Sequence, residues 1–240
     1  MSRQSLPPEA IQHRPAIPQR PAIPQRPAVG RRDAVRNHHR ILEAARDVLG
    51  ESGADASMEE IAARAGVGVG TVYRRFASKD ALIDELLRLA MAEVMSSTEA
   101  ALARTDGFGL EDLLRALGQS FADHARYAVL LLQRRTDDVS AGRVRAAIDE
   151  LTTRAVAARR VNADVTAGDV HALIWAMRGL VQAAGEVAPD AWQRFLDIQL
   201  AGMRSTGSLT TARPLSTRQL SKLAPRRRSS SIAPSAPTSE

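Results

Sequence analysis

The chain has 240 residues, 44% of them apolar, no cysteine, and a formal net charge of +6. Its length allows one large or two small packed domains, and the lack of thiols excludes a disulfide framework and any thiolate metal or nucleophile site. No apolar run approaches the ~18 residues of a membrane span, and the proline-punctuated start lacks the apolar stretch of a secretory signal, so a cytoplasmic protein with no membrane partner is expected.

The positive charge sits at the ends. Residues 1–40 hold eight arginines against Glu9 and Asp33, and residues 207–240 hold five arginines and Lys222 against Glu240. The stretch between them is net acidic, so the overall charge does not describe a basic face on the folded body. An architectural protein that coats DNA without sequence preference is the alternative the basic ends suggest, and the acidic middle argues against it.

In chain order, residues 1–30 come first. They carry RPAIPQ at 14–19 and 20–25 and a partial copy, RPAV, at 26–29. Frequent proline blocks helix and sheet ladders, so an extended, disordered arm is expected. A first helix follows over about Asp33–Ser52, with Ile41, Leu42, Ala45, Val48 and Leu49 as its apolar stripe. Arg31, Arg32, Arg36 and Arg40 gather at its leading end, and Arg40 is placed among the DNA-facing residues. His38 and His39 are adjacent and point to different sides, which suits no shared metal ion.

Between Ser57 and Leu87 lie two short helices and the start of a third. Ser57 with Glu60 is a capping box. Met58, Ile61, Ala62 and Ala65 form the buried stripe of the first helix, and Gly66 stops it. Val67 plugs the turn. The second helix runs from about Val69 to Phe76, with Val69, Val72 and Phe76 inward and Gly70, Thr71, Tyr73 and Arg74 outward. Ser78 caps the next helix, with Asp80 in its first turn. A short polar, basic helix braced across another is the geometry of a helix-turn-helix that enters the DNA major groove.

The glycine turn, the Thr71-x-Tyr73-x-x-Phe76 pattern and Lys79 resemble the N-terminal domain of TetR-family transcriptional regulators over roughly Arg40–Leu87. One position departs from the pattern. Gly68 stands where many relatives place Ser or Thr, which removes one hydroxyl. The resemblance implies that Thr71, Tyr73 and Lys79 bind phosphates. Arg74 is the best base reader, because Arg bidentate to guanine is the commonest specific contact. Gly68 and Gly70 allow close backbone approach, and Val69 is a further candidate.

The remaining chain reads as helix throughout. A long helix over about Lys79–Arg104 has apolar residues wide enough to pack on two sides. Helices follow at about 110–124, 128–135, 140–161 and 166–187, and a last one runs from about Pro189 to Met203, giving about nine in all. Thr166 with Asp169 starts the eighth, and Pro189 is read as a first-turn proline of the ninth. The fold class is therefore all-α, with a helix-turn-helix domain at 31–80 and a helical effector-binding and dimerisation domain at 81–206. From Gly207 to Glu240 a disordered basic tail with Arg226, Arg227 and Arg228 is expected.

Gly179, Ala183, Ala184 and Gly185 form a small-residue surface, with Trp175, Trp192 and Phe195 as anchors, so 166–203 is expected to form a homodimer interface. The resemblance implies the same helices, and a small-molecule effector. Phe121, His124, Tyr127, Trp175 and Arg178 are candidate pocket residues, with Phe108 and Met177 as further wall residues. His124 and His171 alone make no metal site. No catalytic spacing or phosphate-cradling loop stands out, so no enzyme and no cofactor are expected. The reading is a sequence-specific transcriptional repressor that binds a palindromic double-stranded operator and is released by its effector.

Overall fold

The computed structural model describes residues 29–132, 138–209, 212–216 and 219. The repeat arm before Val29 and Arg226–Arg228 lie outside the described residues. All regular structure among those residues is helical: α1 (Val29–Ser52), a 3-10 turn (Gly53–Asp55), α2 (Met58–Ala65), α3 (Val69–Arg75), α4 (Lys79–Ala103), α5 (Gly109–Asp123), a second 3-10 turn (Ala125–Tyr127), α6 (Ala128–Leu132), α7 (Asp138–Ala157), α8 (Ala167–Ala184) and α9 (Ala191–Met203). Eight of these run seven residues or more, and α6 is a short turn of five. α1 begins four residues before the expected Asp33.

Two apolar clusters form. The first joins Ile41, Leu42, Ala45, Val48 and Leu49 of α1 to Ile61 of α2, Val72 of α3 and Leu82, Ile83 and Leu86 of α4. The second joins Leu110, Leu113, Leu114 and Leu117 of α5, Ile148 and Leu151 of α7, Val170, Met177 and Val181 of α8, and Trp192, Leu196 and Leu200 of α9. α4 belongs to both. Its N-terminal half supplies Leu82 and Leu86 to the head, and Ala101 near its other end joins the bundle. At 1.5 Å per residue its 25 residues span about 37 Å, which carries the head away from the bundle.

The head core is also completed from downstream. Tyr127, in the turn after α5, is 3% exposed and packs with the α1 and α4 side chains of the first cluster. The turn therefore plugs the head. Burial pushes the Tyr127 phenol up from its usual pKa. Arg46 lies near enough to favour the phenolate, yet no hydrogen bond of acceptable geometry closes on the buried hydroxyl. Beside it, His124 is buried, stands edge-on to the Tyr127 ring at 5.7 Å, and has Nδ1 2.5 Å from the Ser120 carbonyl.

Three helix ends differ from expectation. α7 stops at Ala157 rather than near Val161, because Arg159 takes the left-handed conformation at φ 55°. The Arg160 and Arg159 amides then donate to the Ala155 and Val156 carbonyls, both at 2.9 Å, closing a Schellman turn around a residue that is not glycine. α8 ends at Gly185, short of Val187. Pro189 precedes the N-cap Asp190 of α9, so it stands outside the first turn.

After α9 the chain folds back. The Asn162 side-chain amide donates to the carbonyls of Ser205 and Gly207, both at 2.7 Å, and the Leu209 amide donates to Asp164 at 3.2 Å. The Leu215 carbonyl crosses Gly168 so closely that a Cβ there would stand 2.3 Å from its oxygen. The segment from Gly207, expected from composition to be a disordered tail, thus has a strap over the α7–α8 turn at its start.

Candidate nucleic-acid interface

The interface is built on α3, and the helices around it fix its pose. Ser57 Oγ accepts from the Glu60 amide at 3.1 Å, while the Glu60 carboxylate accepts from the Ser57 amide at 2.8 Å. That backbone bond holds the Glu60 carboxyl below its usual range. α2 ends at Gly66, φ 63°, with the Val67 amide donating to the Ala62 carbonyl. The guanidinium of Arg40 covers this glycine, since a Cβ there would lie 2.6 Å from Arg40 Nη2. Val72 and Phe76 are buried and anchor α3 to the head core.

The other side of α3 is open. Tyr73 is 47% and Val69 40% exposed, and Gly68, Gly70 and Arg74 are exposed as well. Val69 thus departs from the inward position its spacing suggests. It sits at the first turn of α3, ahead of the turn that contacts the core. Thr71 is half-buried, and its Oγ1 accepts from Arg74 Nη2 at 2.9 Å. Among the described residues, and apart from the local backbone and adjacent residues, no heavy atom lies within 4 Å of where a Cβ on Gly68 or Gly70 would stand.

Two basic residues at the edge of this face are already engaged. Lys79 Nζ donates to the Ala54 carbonyl at 2.5 Å and the Ala56 carbonyl at 2.9 Å. It therefore ties the start of α4 to the turn before α2. Arg75 Nε donates to His38 Nδ1 at 3.0 Å. His38 stacks on Phe76 with ring centroids 5.6 Å apart, and its Nε2 is 3.8 Å from Glu85, which Arg88 grips with two hydrogen bonds. Accepting at Nδ1 requires the neutral ring. Burial, then the Arg75 charge, lowers the His38 pKa in keeping with that. Sequence spacing carries no signal of this hub, because His38 and Arg75 meet only through the α1–α3 packing.

Of the five residues expected to line an effector pocket, His124 and Tyr127 stand ring to ring. Tyr127 belongs to the head core, and His124 sits at the end of α5. Phe121 packs part-buried against the bundle core. Trp175 and Arg178 are half-buried on α8. Arg178 has no hydrogen bond or ion pair among the described residues, and burial depresses its pKa. The cleft beside Phe108, Arg160 and Arg204 has a volume of about 10 Å³, room for no more than a water. Nor is Trp192 a surface anchor. It is buried in the bundle core, and its ring lies 2.3 Å from where a Cβ on Gly118 would stand. Gly179, Ala183 and Gly185 are exposed, as expected, and Ala184 is half-buried. Among the described residues no group of three His, Asp or Glu is arranged to hold a metal ion, and no helix is long and apolar enough to cross a membrane.

Residues 41–86, from the middle of α1 to the first half of α4, match the model of the bacterial regulatory proteins of the tetR family. Over the larger chain, a TetR transcriptional regulator from Streptomyces coelicolor superposes with a TM-score of 0.53 at 27% identity, covering 70% of this chain and 99% of the other. The head thus carries the tetR-family DNA-binding pattern, and the chain as a whole is similar to TetR-family transcriptional regulators. PfmR, a TetR-family regulator from Thermus thermophilus, shares the fold at 19% identity with a TM-score of 0.56, over 68% of this chain and 97% of its own. So does the fatty acid degradation regulator FadR from Bacillus halodurans, at 19% identity and a TM-score of 0.51, over 71% and 100%. No curated protein sequence matches the chain. In this chain the matched stretch is the head, and the Tyr127 that fills its core lies outside the match.

Proposed function

We propose that this regulator is a homodimeric repressor that binds a roughly palindromic operator through α3 and leaves it when a small molecule binds. The observation that carries the reading is the open face of α3. Val69, Thr71, Tyr73 and Arg74 stand on a helix whose opposite side is fixed by Val72 and Phe76. In this reading Thr71, Tyr73, Lys79 and Arg40 meet phosphates, and Arg74 and Val69 meet base edges, with Gly68 and Gly70 giving clearance. Lys79 has to leave the Ala54 and Ala56 carbonyls to do so.

Residues 31–80 act as the DNA-binding unit and 81–206 as the regulatory and dimerising unit, with the basic ends at 1–30 and 207–240 adding unspecific phosphate attraction. Dimerisation is assigned to α8 and α9. Ala176, Gly179 and Ala183 are exposed on α8, and Ile198 on α9 is 55% exposed. Small residues there allow close approach of a second copy, and symmetric pairing gives two recognition helices for two half-sites. Release by an effector has its support in Arg178. A part-buried guanidinium without a carboxylate or carbonyl among the described residues is costly, and an acidic group on a ligand would relieve that.

The test is selection of duplexes by the full-length protein from a random pool, followed by binding at physiological salt. A two-fold symmetric sequence with half-sites about one helical turn apart is expected. Equal affinity for selected and random duplexes would end this reading in favour of unspecific coating.

A further inference from the structure

Val69 breaks the rule that its neighbours obey. Val72 and Phe76 bury their side chains, while Val69, one turn ahead, leaves 40% of itself exposed. It stands between Gly68 and Gly70, and neither glycine is called for by the fold. Gly68 has φ −66° and ψ 141°, which any residue adopts, and Gly70 is helical, where glycine is disfavoured. Among the described residues, nothing beyond the local backbone and adjacent residues comes within 4 Å of a Cβ at either position. The result is a single isopropyl group on bare backbone at the leading end of the helix. Beside it, Arg74 is braced by Thr71 and offers only hydrogen bonds.

In the major groove the apolar group on offer is the 5-methyl of thymine, which A·T pairs show and G·C pairs lack. We propose that Val69 is a specificity-determining residue whose side chain packs on the methyl of one thymine in each operator half-site. The missing side chains at 68 and 70 let the backbone come close enough for a short branched group to reach. This rests on the reading of α3 as the DNA-facing helix. It adds to that reading the chemistry of one base and the group that reads it.

The experiment uses duplexes selected by the full-length chain, with each thymine replaced in turn by uracil, which lacks only the methyl. Wild type and Val69→Ala are titrated against every duplex. One replacement per half-site should weaken wild-type binding about fourfold, the worth of one buried methyl-sized group. Val69→Ala should bind the parent duplex about fourfold more weakly and be indifferent to that same replacement. Because Val69 is exposed, the variant should melt as the wild type does, which separates a lost contact from a damaged helix. A selected duplex in which no uracil matters, or one in which the loss persists unchanged in Val69→Ala, overturns the proposal and leaves sequence-specific binding intact. Failure to select any preferred sequence overturns both.

Discussion

Truncating Tyr127 should unfold the part of the molecule it does not belong to in sequence. Its ring is buried among α1 and α4 side chains of the head, 41 residues past the end of the matched family stretch at residue 86. A buried aromatic side chain covers roughly 150–250 Å², worth about 4–6 kcal/mol at ~25 cal/mol per Å². Measured aromatic-to-alanine changes in cores fall at about 3–5 kcal/mol. Tyr127→Ala should therefore lower unfolding free energy by about 3–5 kcal/mol. Tyr127→Phe keeps the ring and removes a hydroxyl that has no hydrogen bond of acceptable geometry. It should leave stability within about 1 kcal/mol of wild type or raise it, because an unsatisfied buried polar group is itself a cost. The assay is urea unfolding of the full chain at fixed protomer concentration, with amide exchange in α1 and α2 as the local readout. A loss below about 1 kcal/mol for Tyr127→Ala, far under the usual core range, would show that the head holds itself together. Equal damage from Tyr127→Phe would mean that the hydroxyl is anchored on Arg46 and that the ring is secondary.

Lys79→Ala should remove two bonds to the Ala54 and Ala56 carbonyls and lower the melting temperature. If the ammonium also moves to a phosphate, a plot of log affinity against log salt for a selected duplex should flatten by about one unit, and an unchanged slope would restrict Lys79 to its structural bonds. Ala183→Glu places a charge on the exposed small-residue face of α8 and should shift the protein to monomers in sedimentation, whereas an intact dimer would move the interface elsewhere. His38 has a folded pKa below its ordinary value of about 6.5, so the unfolded chain takes up the proton first. The stability it contributes is complete above about pH 6.5 and is lost as pH falls toward the folded pKa. His38→Gln, read by denaturation between neutral and acid pH, should flatten that decline, and parallel curves for variant and wild type would remove His38 as its source.

The starts of α2 and α8 were legible because their signals are local. Ser57 with Glu60 and Thr166 with Asp169 are capping boxes in sequence and in space, and Gly66 stops α2 as its lack of a side chain allows. What depends on distant packing could not be read. Arg159 ends α7 in a conformation that usually marks glycine. Trp192 has the look of an interface anchor, but Gly118 on α5 makes room for its ring. Tyr127 groups with bundle residues by proximity in sequence, while the turn after α5 carries it to the head. At the candidate interface, Thr71, Tyr73 and Arg74 face outward as spacing suggests. The placement of Val69 and the ties of Lys79 and Arg75 depend on where α3 starts and on how α1 crosses it.

The emptiness around Gly68 and Gly70 bears on how such a regulator diverges. Most functional positions are also packed positions, so changing what they recognise damages the fold. Here a Cβ at the N-cap Gly68 or at Gly70 would meet no described atom beyond the local backbone, and at Gly70 a side chain brings some gain in helix propensity. A library varied at these two codons alone should contain mostly folded members with differing tastes in DNA. Duplicated copies of such a gene could drift to new operators by single steps, each one as well folded as its parent.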